Sequence, residues 1–461
     1  MSRPLFAVAL LAGGLVLAAP ETPPTPGPTP PFELPATTDF TLPNGLKVTL
    51  VPYGAVPKAN VSLVVRVGNV DEKADQTGLA DLMGKLLLQG TSTKSAVQVA
   101  EAAAQLGGPL TVNVRADETS LDIESLGDST ADAIRLVAEV ARTPAFPSAE
   151  LARLKGDLLR EVAIQRSQPQ PLAEASYSRA IYGSHPYGRV LPVAAQVEKF
   201  TLEQARQLWT GHAGADRAHL YVVGRFDEAA VRAAIDQAFG GWTKAKASAR
   251  PKPAPRGGKR VFLVDRPGAI QSTVRLGLPT VPPTSPDYIP LVVTNAMLGG
   301  SFGSRITANI REKHGYTYSP NSALASHPGA GTWTQSADIT TKDTAAALRE
   351  VVNEVDRLRS EPPGEVELTG IQKYVAGTFV LRNSSRAGII AQLRFVDLYG
   401  LPADWLRTYV QRVQALTPAD ITRMANKYLD PAKMTLVVVG DRKVVEDSLK
   451  QFGPVKLEAP R

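Results

Sequence analysis

The body of this chain is one unit written twice. Thr201 opens a helical pattern that leads into His219–Gly224 (HLYVVG), and Thr417 opens a second that leads into Met434–Gly440 (MTLVVVG). The two threonines and the two closing glycines are each 216 residues apart. An amphipathic stretch ending in Phe-Gly follows both, at Phe239-Gly240 and Phe452-Gly453. A chain of 461 residues is too long for one core, and the repeat divides it into two copies of a unit near the usual domain size of roughly 200 residues.

The openings of the copies match more loosely. Phe40–Pro52 (FTLPNGLKVTLVP) reads as two strands around Asn44-Gly45, whereas Arg260–Asp265 (RVFLVD) reads as one. Further strands are expected at Val61–Val67 and Ser272–Leu278, followed in each copy by helices, strands, more helices and a final strand-helix. Neither first strand is followed by G-x-G-x-x-G, so the patterning predicts α+β halves with mainly antiparallel sheets rather than dinucleotide-binding folds. The seam is Lys244–Lys259, rich in Lys, Ala, Pro and Gly. The expected organisation is a domain over 38–245, a linker over 246–258 and a second domain over 259–461.

Before the repeat come address and tether. Arg3 precedes an apolar run from Leu5 to Ala19 with small residues at its exit, the pattern of a secretory signal peptide over 1–19. The run is shorter than the ~20 residues a spanning helix needs. Residues 20–37 form a proline-rich tether, with eight of the 37 prolines between Pro20 and Pro35. Export to a periplasm or cell envelope is expected, with no membrane span after cleavage. There is no cysteine, which excludes disulfides, thiolate nucleophiles and Cys-type metal sites. A net charge of +7 (51 Lys+Arg against 44 Asp+Glu) without a dense basic run gives no sign of nucleic-acid binding.

Gly68-Asn69-Val70-Asp71-Glu72, then Gly78-Leu79-Ala80 and Gly90-Thr91, resemble the first-half signature of the insulinase/pitrilysin-type zinc peptidases, in particular their two-domain, processing-peptidase-like subfamily. The resemblance runs from about residue 38 to 458 and implies two homologous α+β domains, each half of a clamshell. Such enzymes carry His-x-x-Glu-His straight after Gly-Leu-Ala; the histidines bind zinc and the glutamate activates water. Here Asp81 stands at the first histidine, Gly84 at the glutamate and Lys85 at the second histidine. A protonated lysine has no lone pair to offer a metal. The third ligand of the family is a helix glutamate some 75–80 residues downstream, which the resemblance places at Glu161. Two arrangements are open: Lys85 sits where zinc would, neutralising Asp81 and Glu161, or Asp81 and Lys85 form a plain i,i+4 pair on a solvated face. The five histidines, His185, His212, His219, His314 and His327, show no helical ligand spacing; His185-Pro186-Tyr187-Gly188 matches a family segment of structural character. No metal or other cofactor is expected in this chain.

The second copy keeps the counterpart motif. Leu298-Gly299-Gly300-Ser301-Phe302-Gly303-Ser304-Arg305 runs into Asn309-Ile310-Arg311-Glu312-Lys313-His314-Gly315-Tyr316-Thr317-Tyr318. In the family an Arg and a Tyr seven positions apart hold the substrate backbone and the developing oxyanion, and Arg311 and Tyr318 have that spacing. Arg311 is expected in the last turn of a helix that Gly315 stops. Tyr316 and Tyr318 are expected to share a face of the next strand, with Tyr316 as the alternative donor. A guanidinium and a phenol suit oxyanion stabilisation. The resemblance also makes Gly299, Gly300, Ser301 and Phe302 candidates for lining the chamber and touching peptide.

Subfamily members pair a zinc-bearing subunit with one that carries the Arg/Tyr set. This sequence has the second set only. The resemblance therefore implies a zinc-less subunit of a heterodimeric peptidase, with peptide as substrate and zinc in a homologous partner. The alternative is a non-catalytic structural or peptide-binding pseudopeptidase, in the manner of the core subunits of respiratory complex III.

Overall fold

The first sheet of the protein, in a computed structural model that describes residues 33–246 and 249–459, holds β1 (Thr38–Thr41), β2 (Lys47–Pro52), β3 (Lys58–Val65), β4 (Thr111–Val114), β5 (Thr119–Leu126) and β6 (Ala218–Gly224). Its order is β1-β2-β6-β3-β5-β4. The second sheet holds β7 (Arg260–Asp265), β8 (Gln271–Thr280), β9 (Asn321–His327), β10 (Ala330–Thr340), β11 (Thr435–Gly440) and β12 (Val455–Glu458), in the order β12-β7-β11-β8-β10-β9. Five strands occupy the same places in both, and only β2–β6, β7–β11 and β7–β12 pair in parallel. The fold is α+β in two like halves, each a mixed, mainly antiparallel sheet with helices. The expected signal peptide lies outside the described residues, as does most of the proline-rich stretch. Among the described residues no helix is long and apolar enough to cross a membrane.

The sixth strand differs between the copies. In the first, β1 folds back on β2 through the Asn44-Gly45 turn, and Asn44 Nδ2 donates to the carbonyls of Phe239 and Trp242. In the second, the residues before β7 include Pro251, Pro253 and Pro255, which lack the N–H groups a hairpin partner must donate. The C-terminal β12, which the strand pattern did not predict, fills that edge instead.

The near-continuous apolar runs in β2, β6, β7 and β11 follow from burial on both faces. Leu50 and Val222 point into the core of their own half, and Val51, Tyr221 and Val223 point the other way, onto Ile389 and Ile390 of the second half. The reverse arrangement holds in the second sheet. Phe262, Val264, Val437 and Val439 turn away from their own core, onto Tyr177, Ile181 and Tyr182 of the first half. These contacts come from the helices Arg386–Tyr399 and Pro169–Tyr182, which occupy equivalent places in the two copies. Each copy thus lends a helix to cover its sister's sheet, and the two halves form an interlocked body. Charged pairs reinforce both contacts: Arg394–Glu118 and Arg386–Glu124 on one side, Arg275–Glu174 on the other.

Candidate functional site: a degenerate zinc centre

The helix Leu79–Leu87 buries Leu79, Leu82, Met83, Leu86 and Leu87, which leaves Asp81 and Lys85, one turn apart, on its remaining face. Beside it runs the helix Ser148–Ser167, anchored by Leu154, Leu158 and Val162, with Glu161 next to the last of these. Lys85 Nζ donates to Glu161 Oε1 at 2.6 Å. Asp81 forms no ion pair with Lys85 among the described residues; its Oδ2 accepts from Asn69 Nδ2 at 3.3 Å. The lysine therefore joins one of the two acids directly. The simple i,i+4 pair is not formed, and Asp81 is half-buried rather than solvated. Burial pushes the Asp81 carboxyl up, with the negative charge of Glu161 adding to it, against the Asn69 hydrogen bond and the attraction of Lys85.

Gly84 has no carboxylate and no room for one. A Cβ there would lie 2.5 Å from Val114 Cγ2 on β4. The residues do not fit zinc: an ammonium takes the second histidine's place and engages the one retained ligand. Among the described residues no group of three or more His, Cys, Asp or Glu could hold a metal ion.

Behind the helix start lies an acid that motif reading did not single out. Glu72 Oε1 accepts from the Ala80 amide at 2.8 Å, the Gly78 amide at 3.1 Å and Asn69 Nδ2 at 3.2 Å. Burial, helped by Asp81, pushes its pKa up to about 8 despite the donors. The unfolded chain ionises Glu72 near pH 4.5, whereas the folded chain holds the proton to about 8, so the folded state binds more protons between those values. Stability attributable to Glu72 should accordingly fall as pH rises through that window, by at most ~1.4 kcal/mol per pH unit. Glu72→Gln keeps an acceptor and removes the titration. Its melting temperature relative to wild type should rise from pH 5 to pH 8; a flat difference would contradict the assignment.

Asp81, Gly84, Lys85 and Glu161 line a cavity of about 930 Å³. It is also lined by Arg275, Thr334 and His327 from β8, β10 and β9, and by the helix residue Glu174. Arg275 and Glu174 pair at 2.7 Å.

The second candidate set lies elsewhere. Arg311 is in the last turn of the π-helical segment Thr307–Lys313, and Gly315 follows with φ 66°. Tyr316 and Tyr318 are not on a strand. They flank Thr317, whose isolated bridge to Ile339 is the sole pairing there among the described residues. Tyr316 packs inward on the second core and stacks on His314, so it is not an alternative donor beside Arg311. Tyr318 is 79% exposed and Phe302 is 72% exposed. The Arg311 guanidinium stacks between them, 4.8 Å and 4.7 Å from the ring centroids. Its Nε lies 3.0 Å from Glu312 Oε1.

None of Arg311, Tyr318, Gly299, Gly300, Ser301 and Phe302 lines the 930 Å³ cavity. Gly299 is buried against Ser322 and Gln335, the Ser301 hydroxyl is buried without a partner, and Gly300 faces a different pocket. The structure thus brings Asp81, Lys85 and Glu161 together and keeps the Arg311–Tyr318 pair away from them.

This fold defines a peptidase-like protein, and Gly84, Lys85 and Glu161 as they stand in it do not form a zinc-ligand set. Residues 49–193 match the model of the insulinase family (peptidase family M16), and residues 199–375 match that of the peptidase M16 inactive domain. The chain belongs to the insulinase family. It is 29% identical over 361 residues to an uncharacterized zinc protease of Mycobacterium tuberculosis, covering 77% of this chain and 79% of the relative. A Streptomyces coelicolor uncharacterized zinc protease is 24% identical over 413 residues, covering 87% and 89%. Among solved structures, a peptidase M16 inactive domain from Pseudomonas fluorescens superposes with a TM-score of 0.81 at 25% identity, over 88% of this chain and 98% of that one. A Helicobacter pylori protease gives 0.81 at 20% identity over 88% and 100%, a likeness of fold.

Proposed function

We propose that this chain is the exported, zinc-less subunit of a heterodimeric metallopeptidase, which binds peptide and presents Arg311 and Tyr318 to substrate at the zinc of a homologous partner. The observation that carries this reading is the separation of the two sets: a half-buried guanidinium, pre-stacked on two exposed rings, lies outside the cavity lined by Gly84, Lys85 and Glu161. Held between two rings, Arg311 loses little side-chain freedom when it meets a carbonyl oxygen. The experiment is reconstitution with a His-x-x-Glu-His homologue captured from the same envelope fraction. The isolated chain should hydrolyse nothing, and the pair should be active. Arg311→Ala should lower kcat/KM of the pair on the order of 10²–10³-fold with the complex intact. Hydrolysis by the isolated chain would sink the proposal. Amino-terminal sequencing of the envelope protein should begin near Pro20 if the leader is removed.

A second reading is a non-catalytic pseudopeptidase. The Arg311–Glu312 contact favours it, because that contact occupies part of the guanidinium fork. Under this reading Arg311→Ala leaves turnover of any associated peptidase unchanged.

A further inference from the structure

The segment that joins the two halves is pinned at several points, and it walls a second cavity. Arg250 donates to both carboxylate oxygens of Asp71, at 3.0 and 2.7 Å, and to the carbonyls of Arg66 and Asp117, each at 2.9 Å. The Pro251 carbonyl lies 3.0 Å from His185 Nε2, and the Arg256 amide donates to the Ile181 carbonyl at 2.8 Å. Pro251, Pro253 and Pro255 stiffen the run between these anchors. Between this run, the loop after Val70 and the turn after Tyr182 lies a cavity of about 680 Å³.

The charge on its wall does not balance. Among the described residues the acids that line it are Asp71 and Glu72. Asp71 is taken by Arg250. Glu72 turns its carboxyl away, to the Gly78 and Ala80 amides, and keeps its proton to about pH 8. Three further cations, Arg189, Lys252 and Arg256, line the same cavity and form no ion pair among the described residues. Lys252 and Arg256 are exposed, whereas Arg189 is half-buried. The terminal nitrogens of Arg189 donate to the carbonyls of Ser184 at 3.1 Å and Glu72 at 2.9 Å, and its Nε is buried without a partner among the described residues. A guanidinium partly withdrawn from water thus faces carbonyls and no carboxylate, an arrangement that costs free energy until an anion meets it. His185 adds no charge, because its Nδ1 accepts from the Tyr187 amide at 3.2 Å.

We propose that this cavity binds a diphosphate group. Arg189 and Arg256 offer planar guanidinium forks that match phosphoryl oxygens two at a time, and Lys252 adds a point charge. Two linked phosphoryl units can meet all three cations, which a single carboxylate cannot. The anchored proline run fixes the backbone of Lys252 and Arg256 before a ligand arrives, so little ordering is lost on binding. The volume falls within the ~300–1,000 Å³ of ligand sites and leaves room for a substituent on the diphosphate.

The test is isothermal titration calorimetry of the full-length chain with inorganic pyrophosphate, at constant ionic strength and without divalent cations. One equivalent should bind, and inorganic phosphate should bind more weakly by on the order of tenfold or more. Lys252→Gln with Arg256→Gln, two exposed changes that leave the core intact, should weaken pyrophosphate binding by a similar factor. Lys244→Gln with Lys246→Gln removes the same charge from exposed positions outside the cavity and should leave binding unchanged. Adenosine diphosphate and geranyl diphosphate distinguish the source of the group. Tighter binding of either than of pyrophosphate identifies the substituent that fills the remaining volume, and no gain from either assigns the free anion. Absence of pyrophosphate binding, equal binding of pyrophosphate and phosphate, or an equal loss in the two double variants would overturn the proposal. These readings use the isolated chain, so they stand or fall separately from activity of a reconstituted pair.

Discussion

Asp81→His combined with Lys85→His should give this chain a zinc site, with one equivalent retained through dialysis and a melting temperature that a chelator lowers. The two positions lie one turn apart on a helix face beside Glu161, and Lys85 Nζ already reaches that carboxylate at 2.6 Å. Two imidazoles there would complete a two-His, one-Glu set. With free zinc 1,000-fold above its Kd, the linkage is about 4 kcal/mol of added stability. The double variant should still hydrolyse nothing, because Gly84 supplies no base. Adding Gly84→Glu alone should destabilise the fold, since its Cβ meets Val114 Cγ2 at 2.5 Å, and Val114→Ala should relieve that cost. Elemental analysis and chelator-dependent melting decide the matter; a double variant that holds no zinc would show that the helix pair has drifted from ligand geometry.

Arg394→Ala should cost about 3–5 kcal/mol, the range for breaking a buried ion pair. Arg394 Nη2 and Glu118 Oε1 are 2.7 Å apart, with side chains only 11% and 6% exposed. Truncation leaves Glu118 with Arg66 at 3.8 Å as its remaining cation. Arg394 is on the second-half helix that covers the first sheet, so the loss should appear as one earlier urea transition for the whole body. Arg394→Met with Glu118→Leu should recover most of the stability, because it removes both charges. Two separate transitions in the single variant would mean that the halves do not depend on each other for folding.

Much of this protein is legible along the chain. The 216-residue repeat separates the two sheets, and strand periodicity locates β7 to the residue. The resemblance to the family motif points to Gly84 and Lys85 along the chain, and neither side chain has a lone pair to offer a metal. The placement of Tyr316 and Tyr318 does not follow. Alternation in a short sequence looks the same in a strand and in a turn, and only packing on the second core turns Tyr316 inward. Glu72 reads in sequence as one acid among 44, because its pKa depends on burial behind a helix start.

By itself, then, the sequence determined the duplication and the α+β halves, which rest on local periodicity. Tertiary structure alone decided that Lys85 bonds Glu161 rather than Asp81, that each half covers its sister's sheet, and that Arg311 lies outside the cavity the degenerate centre lines. Those outcomes depend on which residues distant in sequence come within a few ångströms of one another, a property of packing that no single segment carries.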